Sequence, residues 1–222
     1  MIYDWLLANK EFLKIAYALI ICFVCAIIVL RTNRLFKLSD YQGLRYLRNA
    51  FLFYALAFLF RFIVGGIKNP LLDYGQLYFQ SINFLFEFFI IMAGFFLFYS
   101  LIWKYLEKEK NYHSLFNIKI GILFGVALVI SVLDLWFSGY LFMYSSQIIL
   151  FLFMAIISFR NYILNKNVYY FFIILMGLIS WSLNAFAYLF LKEASMMRIY
   201  AYVINMIFFL FFLYGTIRMT KK

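Results

Sequence analysis

Three charged side chains set inside apolar runs have the most chemistry to offer: Arg61 in AFLFRFIVGG, Glu87 in NFLFEFFII and Asp134 in ISVLDLWFS. A charge in hydrocarbon costs several kcal/mol unless it is paired or wet, so each needs a partner, and an ionisable group there is a functional candidate by default. Two carboxylates and one guanidinium suggest a structural ion pair, Arg61 with Glu87, Asp134 or both. They also suit the polar wall of a ligand pocket.

Other polar residues fall at the same level. Measured from the basic residue at the inner end of each run, Arg61 lies about 20 Å above Arg48, Glu87 about 25 Å above Lys104 and Asp134 about 22 Å above Lys119. Gln147 and Asn205 lie about 20 Å above Arg160 and Arg218. Ser180, Ser182 and Tyr17 occupy the same band. The expectation is a polar layer converging on a cavity in one half of a helical bundle.

The elements that must position this layer follow from composition. With 68% hydrophobic and 13% charged residues and a mean hydropathy of +0.94, the chain is far more apolar than a soluble domain at roughly 45–50% apolar. Spans of about 20 residues account for nearly all of it. The reading is an all-α, polytopic membrane protein: a single seven-transmembrane-helix bundle over residues 1–222, with no soluble domain. The spans are expected at about 14–30, 46–64, 77–103, 118–137, 140–159, 168–190 and 199–217.

Residues 1–13, with Tyr3 and Trp5, suit a membrane interface. Ser39 followed by Gln42 fits a capping box that would start the second helix near Asp40. Gly65, Gly66, Asn69 and Pro70 read as the loop after the second span.

Charge sets the orientation. Fourteen of the twenty lysines and arginines fall in the connections on one side and in the C-terminal tail. Lys10, Lys68, Lys192 and Arg198 fall on the other side. By the positive-inside rule the N-terminus is extracellular and the C-terminus cytoplasmic, in a multi-pass protein of the cell membrane. The net charge of +11 therefore indicates contact with anionic headgroups on the inner side and not with nucleic acid.

An internal repeat is also visible. AIIVLRTNRLFK from Ala26 matches AIISFRNYILNK from Ala155, and Tyr78, Ile82 and Asn83 match Tyr200, Ile204 and Asn205. A 3+1+3 plan follows, with the fourth span joining two parallel triplets.

Several chemistries lack their residues. The seventh span, IYAYVINMIFFLFFLYGTI, has no lysine for a retinal Schiff base, so no cofactor is expected. His113 is the only histidine and lies in a charged loop, while Cys22 and Cys25 sit one helical turn apart within the first span. No metal site is expected from these, and no motif supports an enzyme. Trp181 and the phenylalanines read as packing surface. G-x-x-x-G at Gly121 and Gly125 is a dimerisation signal, so a homo-oligomer is among the partners considered.

Two function classes remain foremost. One is a sensor or receptor-like module with an outward-facing polar cavity and a basic cytoplasmic face that docks another chain. The other is a small-solute or ion transporter or channel of 3+1+3 architecture. A non-catalytic structural or assembly role is the blandest alternative.

Overall fold

Backbone N–H and C=O groups cannot be left unpaired in an apolar surrounding, so long apolar runs satisfy them internally as helices. The computed structural model describes residues 10–39, 41–65, 75–106, 118–137, 139–165, 168–190 and 196–220. These form helices α1 (Lys10–Ser39), α2 (Gln42–Phe58), α3 (Gln76–Leu106), α4 (Ile118–Trp136), α5 (Leu141–Asn165), α6 (Val168–Phe190) and α7 (Met196–Thr220), with no strand among the described residues. A π-helical turn, Leu59–Val64, continues α2. Tyr3, Trp5, Asp40, Gly66, Asn69, Pro70, His113 and Lys192 lie outside the described residues.

Four stretches, Phe12–Ser39, Gln42–Val64, Leu77–Trp103 and Leu141–Ile163, are long and apolar enough to cross a membrane. Ile120–Trp136, Phe171–Phe186 and Tyr202–Arg218 are apolar but shorter. Large apolar side chains such as Phe23, Leu30 and Trp136 are exposed on the outer surface. These features mark a helical membrane protein, since a soluble domain rarely leaves so wide an apolar surface uncovered.

The capping box does not form. Ser39 is the last residue of α1, where its Oγ donates to the Leu35 carbonyl at 2.8 Å. The α2 helix begins later, with Tyr41 as an N-cap that makes no side-chain cap hydrogen bond. The Ser39 hydroxyl donates within its own helix, and accepts only a long contact from the Tyr41 N–H at 3.4 Å. Consequently Arg31, Arg34 and Lys37 ride on a helical extension of α1.

Six helices close into a ring in the order α1, α2, α3, α5, α6, α7 and back to α1. The α4 helix stands outside it, against α3 and α5. Around this ring α1, α3, α5 and α7 start at one end, where α2 and α6 finish; we call this the upper end. The opposite end is marked by Gly43 at the start of α2, which lies against the Trp103 indole near the end of α3.

Below the upper third, the ring is filled by aromatic side chains. Tyr54 meets Phe209 at 5.2 Å between centroids, Phe51 meets Phe212 at 4.9 Å, and Phe208 meets Phe151 at 5.8 Å. All are buried. Edge-to-face rings of this kind pack densely because ring edges meet ring faces of opposite partial charge.

Glycines set two of the close approaches. Gly94 on α3 faces the Gln147 amide of α5, and Gly177 on α6 faces the rings of Phe151 and Phe208.

Candidate functional site: a cavity at the upper end of the ring

Each ring helix brings between one and three side chains to one cavity of about 170 Å³. Tyr17 comes from α1; Phe58, Arg61 and Phe62 from α2 and its π turn; Phe86 from α3; Tyr140 and Tyr144 from the start of α5. Trp181, Asn184 and Tyr188 come from α6, and Tyr202 and Asn205 from α7. The α4 helix contributes nothing.

Arg61 sits within the π turn. One widened turn, closed by the Gly65 N–H on the Phe60 carbonyl at 2.9 Å, shifts the helical register by a residue, a device often found at functional sites. Phe58, Arg61 and Phe62, at steps of three and four residues, share the cavity side. The neighbouring Val64 carbonyl accepts a hydrogen bond from the Tyr78 hydroxyl of α3 at 3.2 Å, which ties the turn to the ring.

The Arg61 guanidinium lies over the rings of Phe86 (4.2 Å to the centroid), Tyr140 (4.8 Å) and Phe62 (5.6 Å). Desolvated cation–π contacts are worth up to about 2 kcal/mol. The expected ion pair with Glu87 or Asp134 does not form: no carboxylate among the described residues comes within ion-pair distance of Arg61. Aromatic faces hold the cation instead.

Asp134 is committed elsewhere. Its Oδ1 accepts from the Phe142 N–H at 2.9 Å and its Oδ2 from the Met143 N–H at 2.6 Å. These are free donors of the first turn of α5, where a negative charge also meets the positive end of the helix dipole. The carboxylate therefore caps α5 from the last turn of α4 and locks the short connection between them. Asp134→Ala is expected to lower stability by about 1–2 kcal/mol, the usual cost of losing an N-cap. Asp134→Asn, which keeps one acceptor oxygen, should lose about half as much. Thermal unfolding in detergent checks this, and equal stability of all three proteins would refute the capping role.

Glu87 is 3% exposed, and its Oε2 is buried without a hydrogen-bond partner. It neighbours the cavity residue Phe86 in sequence but does not line the cavity. Gln147 is lower, where its Nε2 donates to the Ile90 carbonyl of α3 at 3.1 Å. Ser182 is exposed on the outer face of α6.

The remaining predicted residues form one chain of hydrogen bonds. Ser180 Oγ donates to Asn205 Oδ1 at 3.2 Å, and Asn205 Nδ2 donates to the Tyr17 hydroxyl at 2.6 Å. Three helices, α6, α7 and α1, are joined by this one amide. Both Tyr17 and Asn205 face the cavity.

Depth along each helix finds Tyr17, Arg61 and Asn205 but misses the aromatic wall. Tyr140, Tyr144, Trp181, Asn184, Tyr188 and Tyr202 carry a weaker signal. Steps of three or four residues, as in Tyr140/Tyr144 and Trp181/Asn184/Tyr188, place side chains on one helix face. That face becomes meaningful only when the helix is turned toward Arg61.

Comparison with known proteins adds one relative. The chain is 30% identical over 126 residues, 54% of its length, to a protein of Archaeoglobus fulgidus described as "Uncharacterized protein". It spans about half the length of that relative, covering 52% of it. No protein-family description matches the chain, and no solved structure matches it.

Proposed function

We propose that this chain is a seven-span protein of the cell membrane, N-terminus extracellular and C-terminus cytoplasmic, that binds a small ligand from outside as a sensor or receptor-like module. The single observation that carries the reading is the cavity to which all six ring helices contribute. A ligand held there touches every helix of the ring, so its occupancy alters the packing of the whole bundle. The assigned role is binding and involves no catalysis.

Charge distribution supports the orientation. The exposed bases Arg31, Arg34, Lys37, Arg160 and Arg218 gather at the end opposite the cavity, and basic ends face the cytoplasm. They form a surface suited to anionic headgroups and to a second protein chain. The three shorter apolar stretches belong to helices of 19, 23 and 25 residues, close to the ~20 needed to span.

The ring order favours the 3+1+3 repeat. Exchanging α1, α2, α3 with α5, α6, α7 converts each neighbour pair into another: α1–α2 into α5–α6, α2–α3 into α6–α7, and α3–α5 into α7–α1. The α4 helix outside the ring is then the joint that lets both triplets run in the same direction. This relation keeps a transporter as the second reading. The aromatic filling beneath the cavity, with Tyr54, Phe51, Phe209 and Phe212, favours the receptor because it closes the way through.

Cysteine accessibility separates them. In a background with Cys22 and Cys25 replaced by alanine, Tyr188→Cys is expected to react with a membrane-impermeant thiol reagent applied to intact cells. Phe209→Cys is expected to be protected from both sides. Labelling of Tyr188→Cys from the cytoplasmic side alone overturns the orientation. Labelling of Phe209→Cys in inverted vesicles favours the transporter.

A further inference from the structure

Among the described residues, Arg61 is the single charged group lining the cavity, and none of them adds a carboxylate to the lining. We infer that the ligand of this cavity is a compact organic anion, a monocarboxylate with one ring or an equivalent apolar body, whose carboxylate pairs with the Arg61 guanidinium. The inference rests on the binding role proposed above and names the ligand class of that site.

Geometry carries it. Guanidinium donors lie in the plane of the group and number five, and aromatic rings are weak acceptors for them. Phe86, Tyr140 and Phe62 present their rings to the guanidinium carbon at 4.2–5.6 Å and supply it no charged acceptor. None of the in-plane N–H groups meets an acceptor among the described residues. A planar carboxylate matches that edge with two parallel hydrogen bonds. Of the two carboxylates near Arg61, Asp134 is held by the α5 backbone, and Glu87 lies outside the cavity lining and beyond ion-pair distance.

Size and lining supply the other half. About 170 Å³ is close to the ~150 Å³ of an engineered cavity that takes up benzene. Tyr144, Trp181 and Tyr188 offer flat apolar faces for such a ring, with Tyr144 and Tyr188 5.5 Å apart between centroids. A metal cation or an amine would meet Arg61 and no compensating charge among the described residues of the wall.

Benzoate is the probe, with benzamide and toluene as neutral ligands of similar shape. The full chain in nanodiscs of uncharged phosphatidylcholine is titrated with each, following Trp fluorescence and thermal stability. Benzoate is expected to bind at least roughly tenfold more tightly than benzamide, as a charge-assisted hydrogen bond implies. Arg61→Gln should abolish that preference while leaving toluene binding in place, and Arg61→Lys should keep part of it.

Wild-type protein that binds toluene or benzamide as well as benzoate overturns the anion and leaves the cavity's binding role standing. Wild-type protein that binds none of the three overturns both. The ratio needs no variant, so it decides even if Arg61→Gln fails to fold. Repeating the titration with phosphatidylglycerol in the disc tests whether a lipid phosphate takes the same place: benzoate affinity that falls with added phosphatidylglycerol identifies the headgroup as a competing anion, and unchanged affinity assigns the site to the free one. Both outcomes support the anion site.

Discussion

Gly177→Ala is expected to destabilise the bundle by about 2–3 kcal/mol, at the upper end of what one added methyl usually does in a packed core. A Cβ at this position would overlap the Phe151 ring and come within 2.7 Å of Phe208. Those rings are 0% and 1% exposed, and Phe208 is further wedged against Phe209 and Phe212 at 5.3 and 5.0 Å. Neither ring is the loose end of a flexible chain, so α6 itself must move away from α5 and α7. Small residues matter more in membranes than in water, because close backbone packing replaces much of the hydrophobic drive between helices.

Gly121→Ala and Gly125→Ala on α4 are the controls. Both glycines have open space where the Cβ would go, and alanine is the better helix former by up to about 1 kcal/mol. Reversible unfolding in mixed micelles should rank Gly177→Ala far below wild type and the α4 variants level with it or above. A Gly177→Ala protein as stable as wild type would mean that α6 is not held against those rings.

The second large effect is expected at Asn205. Asn205→Leu removes both hydrogen bonds that join α6, α7 and α1. Interhelical hydrogen bonds in membranes average only about 0.6 kcal/mol each, so their loss alone is modest. Ser180 can turn its hydroxyl to a carbonyl of its own helix. Tyr17 cannot turn to a carbonyl of its own helix in this way, because its hydroxyl sits at the far end of a rigid ring packed against Phe58, Phe62 and Tyr202. A buried polar group stranded without a partner costs about 1–3 kcal/mol. The expected total is about 2 kcal/mol.

A double mutant isolates that term. Tyr17→Phe removes the stranded hydroxyl, so Asn205→Leu combined with Tyr17→Phe should be less destabilised than the two single losses added together. Strict additivity would show that the two side chains act independently and that the 2.6 Å contact contributes nothing.

Fold class was legible in the linear chain because the bilayer leaves so few options. Long apolar runs can satisfy their backbone only as helices. The apolar run 168–190 coincides with α6 from Val168 to Phe190. Helix ends were less legible where a polar residue had two uses. Ser39 could begin α2 or finish α1, and its choice of the Leu35 carbonyl depends on α1 remaining helical beyond its apolar stretch.

The level of Arg61, Asn205 and Tyr17 in the bundle was likewise set by position along each helix, since every residue advances a helix by a fixed rise. Rotation about the helix axis is a different quantity, and only the packed ring decides it. Asp134 and Arg61 share a level, yet α4 stands outside the ring and spends its carboxylate on the start of α5, while Arg61 on α2's π turn faces the cavity. Sequence alone determined that this protein is a set of apolar helices with a few polar groups near one end. Tertiary structure decided which of those groups meet, because a side chain reaches only what the rotation of its own helix brings it to face: Asp134 meets the α5 backbone and Arg61 the rings, while the buried Glu87 Oε2 meets no hydrogen-bond donor.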